Sequence, residues 1–188
     1  GLAYGLFYNK KMFADAGLKP PTTWEDMAAA ATKLTDTNKG VYGLTVAGGS
    51  YRMNAHLAFI TSSQNGAELF DSAGKPTLAQ DGVADGIMRY LDLMQKSKAI
   101  NPSDSQLDSA SKSMPEFAQG KAAMTIQQSN APAVFLKNGM SEDDFGVVKL
   151  PAPTGAKSDV ASLVAGINIA VFKNTKQKDN SLKLVEHL

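Results

Sequence analysis

Residues 4–26 read YGLFYNKKMFADAGLKPPTTWED and contain a strand, a helix and the start of a second helix. Large side chains recur at every second position from Tyr4 to Tyr8, which is typical of a strand buried on at least one face. Residues 10–16 then switch to helical spacing, and Gly17 follows them as a C-terminal glycine cap does. A strand leading directly into a helix predicts an α/β layer.

The second half of this run marks the start of another helix. Pro20 and Pro21 prevent the first helix from continuing, and Thr22 or Thr23 can accept hydrogen bonds from the free backbone N–H groups of a new one. Two acidic residues follow and oppose the helix dipole. Because Trp24 falls in the first turn of an amphipathic helix, we predict a core residue there, not a platform for a sugar ring.

Three stretches, namely the opening run, residues 117–124 and residues 145–155, together resemble the signature of extracellular solute-binding proteins of bacterial ABC importers. The resemblance is in particular to the sugar-binding family related to maltose-binding protein. They occur in the family's order and cover nearly the whole chain. The matching motifs are residues 7–10 (FYNK), 12–13 (MF), 16–18 (AGL), Pro21, 23–26 (TWED), 117–124 (FAQGKAAM), 145–148 (FGVV) and 150–155 (LPAPTG).

The composition excludes several classes of protein. The chain has 188 residues, of which 43% are hydrophobic, enough for one core or one large lobe. Its net charge of +1 gives no reason to expect nucleic-acid binding. It has no cysteine, so it has neither disulfides nor thiolate metal sites, which is compatible with an extracytoplasmic compartment.

Helical and strand patterns alternate along the rest of the chain, which predicts an α/β lobe. Residues 99–113 are polar and read as a loop. Helices are predicted at 23–35, 51–62, 81–96, 114–118, 131–137 and 177–188, and strands at 41–46, 122–126, 145–148 and 167–172.

Two of these helices have a predicted apolar face. In helix 81–96 the face consists of Val83, Ile87, Tyr90, Leu91 and Met94, with Asp85, Arg89 and Asp92 placed on other sides. In helix 177–188 it consists of Leu182, Val185 and Leu188.

Catalytic and metal-binding motifs are missing from the sequence. There is no nucleophile elbow, zinc-protease motif or phosphate-binding loop. His56 and His187 lie far apart in sequence, and each is read as a surface or partly buried residue. The acidic run at 142–144 lacks the alternating spacing of a calcium loop and is read as a solvated turn. We therefore expect no catalytic residue, metal or cofactor.

Ligands of α/β folds bind where strands end and helices begin, and three such places have suitable side chains. The first is residues 48–54, which follow the strand at 41–46. There Tyr51 can stack, Arg52 can donate paired hydrogen bonds to hydroxyls or to a carboxylate, and Asn54 adds an amide. The alternative is that Tyr51 packs beneath the helix and Arg52 makes a structural ion pair.

The second place follows strand 122–126. The family often has a Gly-Trp pair there, but this chain has Gln127, Gln128 and Ser129, which favours hydrogen bonding over stacking. The alternative is a simple helix cap by Ser129 or Asn130. The third place, residues 162–168, resembles the family's glycine-containing entry into a strand that lines the cleft.

At this third place Gly166 allows close approach of a ligand and Asn168 can donate or accept a hydrogen bond. The alternative is a buried strand with a bulge at Gly166.

The resemblance implies a type II periplasmic-binding-protein fold, with layered helices around a mixed sheet. Residues 1–188 are expected to form a single α/β lobe, the C-terminal one of two, with the N-terminal lobe and any signal or lipid anchor preceding Gly1. The implied function is capture of a mono- or oligosaccharide in the interlobe cleft, outside the cytoplasmic membrane or in the periplasm. Delivery to the membrane subunits of an ABC permease would follow.

Two other functions stay open. A similar lobe could bind another polar solute in a sensor. A carbohydrate-active enzyme domain would need carboxylates on both sides of its substrate, whereas the acids here fall mostly on helices and polar turns.

Overall fold

The structure is a computed structural model that describes residues 2–165 and 169–187. Its strands are β1 (Leu2–Asn9), β2 (Tyr42–Thr45), β3 (Ala122–Gln128), β4 (Phe145–Val148) and β5 (Val164–Ala165). Its α-helices are α1 (Lys10–Asp15), α2 (Trp24–Lys33), α3 (Tyr51–Gln64), α4 (Asp81–Gln95), α5 (Ala110–Ala118), α6 (Ala131–Lys137) and α7 (Lys178–His187). Short 3-10 turns occupy Thr37–Lys39 and Pro102–Gln106.

The strands form a mixed sheet in the order β2-β3-β1-β4. β2 runs parallel to β3, whereas β1 runs antiparallel to both β3 and β4. The short strand β5 pairs with the first residues of β1, with Leu2 opposite Ala165. The mixed sheet with alternating helices confirms the predicted α/β class.

The opening motif folds as its caps predict. Asn9 accepts a hydrogen bond from Met12 N at 3.0 Å and starts α1, while Gly17 takes a left-handed φ of 65° just after it. Thr23 and Asp26 form a capping box at the start of α2.

Hydrophobic residues cover both faces of the sheet. Successive residues of a strand point to opposite faces, so Leu6 joins a core cluster with α2, α3 and α4, while Phe7 joins one with α5 and α6. In the second cluster Phe7, Phe117 and Phe145 all lie against Phe135, with ring centroids 4.8 to 5.3 Å away. Trp24 is buried in the first cluster, which confirms its predicted role in the core.

The predicted faces of α4 needed correction. Leu91 is partly exposed, and Leu93 is buried in its place. Arg89, predicted to face away from the core, is half-buried because its long stem packs inward and its guanidinium group finds acceptors. It donates to Thr61 O, Gln64 Oε1 and Asn65 Oδ1 at 2.8 to 3.2 Å. Its guanidinium carbon also lies 5.2 Å from the centre of the Trp24 ring system.

The predicted strand at 167–172 is wrong where it can be checked. Residues 169–172 form no strand, because no described strand pairs with them, and the regular segment is β5 before them. The side chains of Ile169 and Phe172 are exposed. The helix predicted at 177–188 is confirmed as α7, but its apolar residues Leu182 and Val185 are also exposed to solvent.

Candidate functional site

One edge of the sheet gathers the ends of three strands. Because β2 and β3 are parallel, their C-terminal ends meet at the same edge, and the antiparallel β1 has its N-terminal end there. Tyr4 is the register partner of Gln128. The Ser129 N–H donates to Ala3 O at 2.8 Å, which fixes the residues just after β3 beside β1. We call this the strand-end edge.

The loop that leaves β2 at this edge is held from behind by residues 102–107. Gly48 N donates to Asp104 O and Gly49 N donates to Leu107 O, both at 2.9 Å. A Cβ added at Gly48 would lie 3.0 Å from Asp104 O, so this close backbone approach favours glycine. The loop therefore leads into α3 along a defined path.

The side chain of Asp104 completes this support. Its buried carboxylate accepts from Thr45 Oγ1 at 2.8 Å and from Val46 N at 3.1 Å. Burial raises the pKa of Asp104, although these two hydrogen bonds oppose the shift.

Tyr51 and Arg52 occupy the first turn of α3 and face solvent. Tyr51 is 81% exposed, so it does not pack beneath its helix. Arg52 is also exposed, and within residues 2–165 and 169–187 it forms no ion pair or side-chain hydrogen bond. Neither of the structural alternatives considered for these two residues is present.

Tyr4 and His56 lie beside Arg52 and were not predicted as site residues. The Tyr4 hydroxyl lies 2.9 Å from His56 Nδ1, and the two rings meet edge to face with centroids 5.6 Å apart. Tyr4 N donates to Ser162 Oγ at 2.7 Å. The only signal in the sequence was the spacing of Arg52 and His56, four residues apart on one helix face.

The pKa values of Tyr4 and His56 are shifted by burial and by the nearby positive charge of Arg52. Burial raises the pKa of the Tyr4 hydroxyl, with the Arg52 charge opposing. Burial lowers the pKa of His56, and the same Arg52 charge lowers it further. Tyr4 therefore keeps its proton and His56 is a neutral imidazole at pH 7.

Two of the predicted side chains serve the interior instead. Gln127 is fully buried, and its Nε2 donates to Ser113 Oγ at 3.0 Å and Thr125 Oγ1 at 3.2 Å, so it has no exposed surface for a solute. Asn54 is half-buried and its Nδ2 donates to Gly48 O at 2.8 Å, which closes the loop before α3.

The neighbouring residues remain accessible. Gln128 is half-buried and Ser129 is exposed. Asn130 occupies the N-cap position of α6, but no side-chain hydrogen bond caps that helix. Gly166 and Asn168 lie outside the described residues, and β5, which precedes them, is paired with β1 at the strand-end edge.

A separate candidate surface lies at the other end of α3. It is an open groove of about 490 Å³ between the end of α3, the start of α4 and the loop after Leu150. It carries charges of both signs, including Asp81, Asp85, Arg89 and Lys157. Because α3 has 14 residues at ~1.5 Å each, this groove is on the order of 20 Å from the strand-end edge.

Among residues 2–165 and 169–187, no group of three or more histidine or acidic side chains is placed to hold a metal ion. None of the helices in the described part of the chain is long and apolar enough to cross a bilayer.

Comparison with known proteins agrees with this architecture. Residues 1–188 match the family described as bacterial extracellular solute-binding protein. The chain belongs to this family. It is a family of solute-binding proteins and not of enzymes, and the resemblance carried by the sequence motifs is confirmed.

Individual relatives extend the comparison. A Brucella abortus protein, whose name gives it a provisional role as a binding protein, is 26% identical over 192 residues, covering 99% of this chain and 44% of the relative. An ABC transporter solute-binding protein from Agrobacterium vitis, solved with bound D-mannitol, is 27% identical with a TM-score of 0.76. The match covers 98% of this chain and 44% of the Agrobacterium chain.

A solute-binding protein from Thermotoga lettingae, solved with bound α-D-tagatose, has a TM-score of 0.84 at 24% identity. The match covers 99% of this chain and 47% of the Thermotoga chain. This likeness confirms the periplasmic-binding-protein fold. The chain spans about half the length of the relatives it matches.

Proposed function

We propose that this chain is one lobe of the solute-binding component of an ABC importer, and that the strand-end edge is its half of a carbohydrate- or polyol-binding cleft. The observation that carries the proposal is the convergence of Tyr51 and Arg52 with Gln128 and Ser129 at one edge of the sheet. Membership of the solute-binding family and the mannitol-bound relative support a small polyhydroxylated solute.

The side chains at this edge suit such a solute. Tyr51 is a free aromatic face on which a sugar ring or polyol chain can pack. Arg52, Gln128 and Ser129 offer hydrogen-bonding groups, which matters because a buried hydroxyl without a partner costs about 1–3 kcal/mol.

Binding by a single wall leaves half of the solute in water. We propose that a second lobe closes over the bound solute about a hinge, because closure is favoured only by contacts that the open form lacks. The closed form would then dock on the membrane subunits of a permease. The setting would be extracytoplasmic, with the protein free or held at the membrane by a lipid anchor, and nucleic acid is not among the proposed partners.

Catalysis is not part of the proposal. Within residues 2–165 and 169–187, the strand-end edge brings together no pair of carboxylates for glycoside hydrolysis. A turnover assay on a panel of glycosides is expected to show no hydrolysis.

The test is calorimetry on the two-lobe protein with a panel of sugars and polyols. We expect Arg52→Ala and Tyr51→Ala each to weaken binding about tenfold or more, since each removes a solute contact without touching the core. Lys11→Ala is the control: it also removes one positive charge, but just beyond the opposite end of β1, and it should leave the affinity for the solute unchanged. Residues 1–188 alone should bind weakly. Unchanged affinity in both edge variants would contradict the proposal.

A further inference from the structure

We infer that the solute bound at the strand-end edge carries a carboxylate, as a uronate or aldonate does, and that Arg52 is the residue that selects it. This inference rests on the proposed function and narrows its substrate class.

The first observation is that Arg52 occupies an electrostatically unfavourable position. It lies in the first turn of α3, where the helix dipole is positive and where acidic residues are favoured, yet α3 has no acid in its first turn. The whole of α3 contains no aspartate or glutamate. Local helix stability therefore gives no reason for an arginine at this position.

The second observation is that no nearby acid neutralises Arg52. The segments that meet at the edge, residues 2–5, 46–56, 127–130 and 162–165, contain no acidic residue. The acids of the segment behind the loop are already engaged. Asp104 is buried and accepts from Thr45 and Val46, while Asp108 pairs with Lys112 Nζ at 2.9 Å.

The third observation is that the one charged group in the sequence of these segments, Arg52, is a hydrogen-bond donor, and that His56 can add a second donor. Arg52 presents five N–H donors and no acceptor. When the Tyr4 hydroxyl donates to His56 Nδ1, the proton of the neutral ring is on Nε2, which then donates as well. Charged acceptors are missing from these segments, so a hydroxyl of a neutral sugar finds strong donors but no carboxylate to donate to.

A carboxylate matches this arrangement, because it has acceptor oxygens only and the guanidinium fork can bind both of them in parallel. The formal charge of the edge segments is that of Arg52 alone, and one carboxylate neutralises it. A phosphate would carry a larger charge than this single cation.

The experiment compares matched pairs of solutes on the two-lobe protein by calorimetry. Each pair is a neutral sugar or polyol and its acid, such as galactose with galacturonate, glucose with glucuronate, and mannitol with mannonate. We expect at least one acid to bind about ten- to a hundredfold more tightly than its neutral parent. Raising NaCl from about 50 to about 500 mM should weaken binding of the acid only.

The decisive variant is Arg52→Gln, which keeps a long polar side chain at an exposed position and should not change the melting temperature. It should lower the affinity for the acid about tenfold or more and that for the neutral parent much less, because the glutamine amide still donates to a hydroxyl but no longer carries the charge that pairs with a carboxylate. Lys11→Gln, which removes the same charge at the opposite end of β1, should change neither. Equal losses for acid and neutral parent in Arg52→Gln would overturn the inference.

The outcomes also separate this inference from the function on which it rests. Binding of neutral solutes with no preference for the acids would overturn the inference and leave the proposed function standing. No binding by either series would contradict both.

Discussion

Among single residues, Asp104 holds the loop after β2 in place at the strand-end edge through its side chain and its backbone oxygen. It belongs to a polar stretch that the sequence predicts to be a loop, yet its side chain is buried beside the end of β2. Sequence patterns do not reveal such a residue, because an aspartate in a polar loop usually faces water. Its role depends on tertiary contacts with Thr45, Val46 and Gly48.

Removing the Asp104 carboxylate should loosen the path into α3. Asp104→Ala leaves Thr45 Oγ1 and Val46 N without their buried acceptor, at about 1–3 kcal/mol for each unpaired group. Denaturant unfolding measures the loss of stability. Asp108→Ala is the control, because Asp108 is exposed, and an equal loss in both variants would contradict this role for Asp104.

The pKa of Asp104 gives a second prediction, about pH. Burial raises this pKa above the unfolded value of about 3.9, so the folded state keeps a proton that the unfolded chain has already lost. The stability that this proton contributes is present below about pH 3.9 and is lost as pH rises through the folded pKa. The wild type should therefore lose stability relative to Asp104→Asn between acidic and neutral pH.

Asp108 should show the opposite trend. Its hydrogen bond with Lys112 lowers its pKa, so its contribution is present above the unfolded pKa and lost as pH falls through the folded one. Unfolding curves of wild type, Asp104→Asn and Asp108→Asn from about pH 2 to about pH 7 check both signs, because the contribution of Asp108 is lost only below its unfolded pKa of about 3.9. The same slope in the two variants would contradict the assignment.

The sequence predicts the elements well where their signals are local. Capping residues and hydrophobic periodicity place α1, α2, α3 and β3 within a few residues of their bounds. Predictions fail where a long polar side chain is drawn inward by partners distant in sequence. Arg89 is predicted to face away from the core and Gln127 to line the solute site, but both donate to acceptors from other elements in the interior.

The candidate site was predictable in part for the same reason. The loop after β2 and the residues after β3 follow strands, so their convergence was expected, and the parallel pairing of β2 with β3 brings both to one edge. Tyr4 and His56 could not be foreseen there, because their pairing depends on how α3 lies over β1.

The packing of β2 on α2 depends on one glycine. A Cβ at Gly43 would lie 1.9 Å from the backbone oxygen of Ala31, and neither backbone can move cheaply. Gly43→Ala should destabilise the fold by about 3 kcal/mol or more. Gly139→Ala, at a φ of 96° with open space around it, tests backbone strain alone and should cost about 1–2 kcal/mol. Similar melting temperatures for the two variants would contradict the close packing.

For the whole molecule, residues 2–165 and residues 169–187 differ in how they are packed. The sheet and α1 to α6 carry the buried core, whereas none of residues 169–187 is buried. Exposed apolar side chains concentrate in this last segment, at Ile169, Phe172, Leu182 and Leu184 among others. We therefore expect residues 2–165 to carry the stability of the fold.

Truncation tests this division. A chain ending at residue 168 should unfold at nearly the same temperature as the 188-residue chain, because the removed segment contributes no described residue to the core. Thermal unfolding followed by circular dichroism measures the difference. A drop of several degrees would show that α7 stabilises the fold.

The most direct test of the strand-end edge as the solute site is hydrogen exchange of the two-lobe protein with and without a solute that binds it. Slower exchange in the bound state is predicted for residues 48–56 and 127–130, with residues 81–89 and 153–157 unchanged. Protection confined to 81–89 and 153–157, at the far end of α3, would contradict the account.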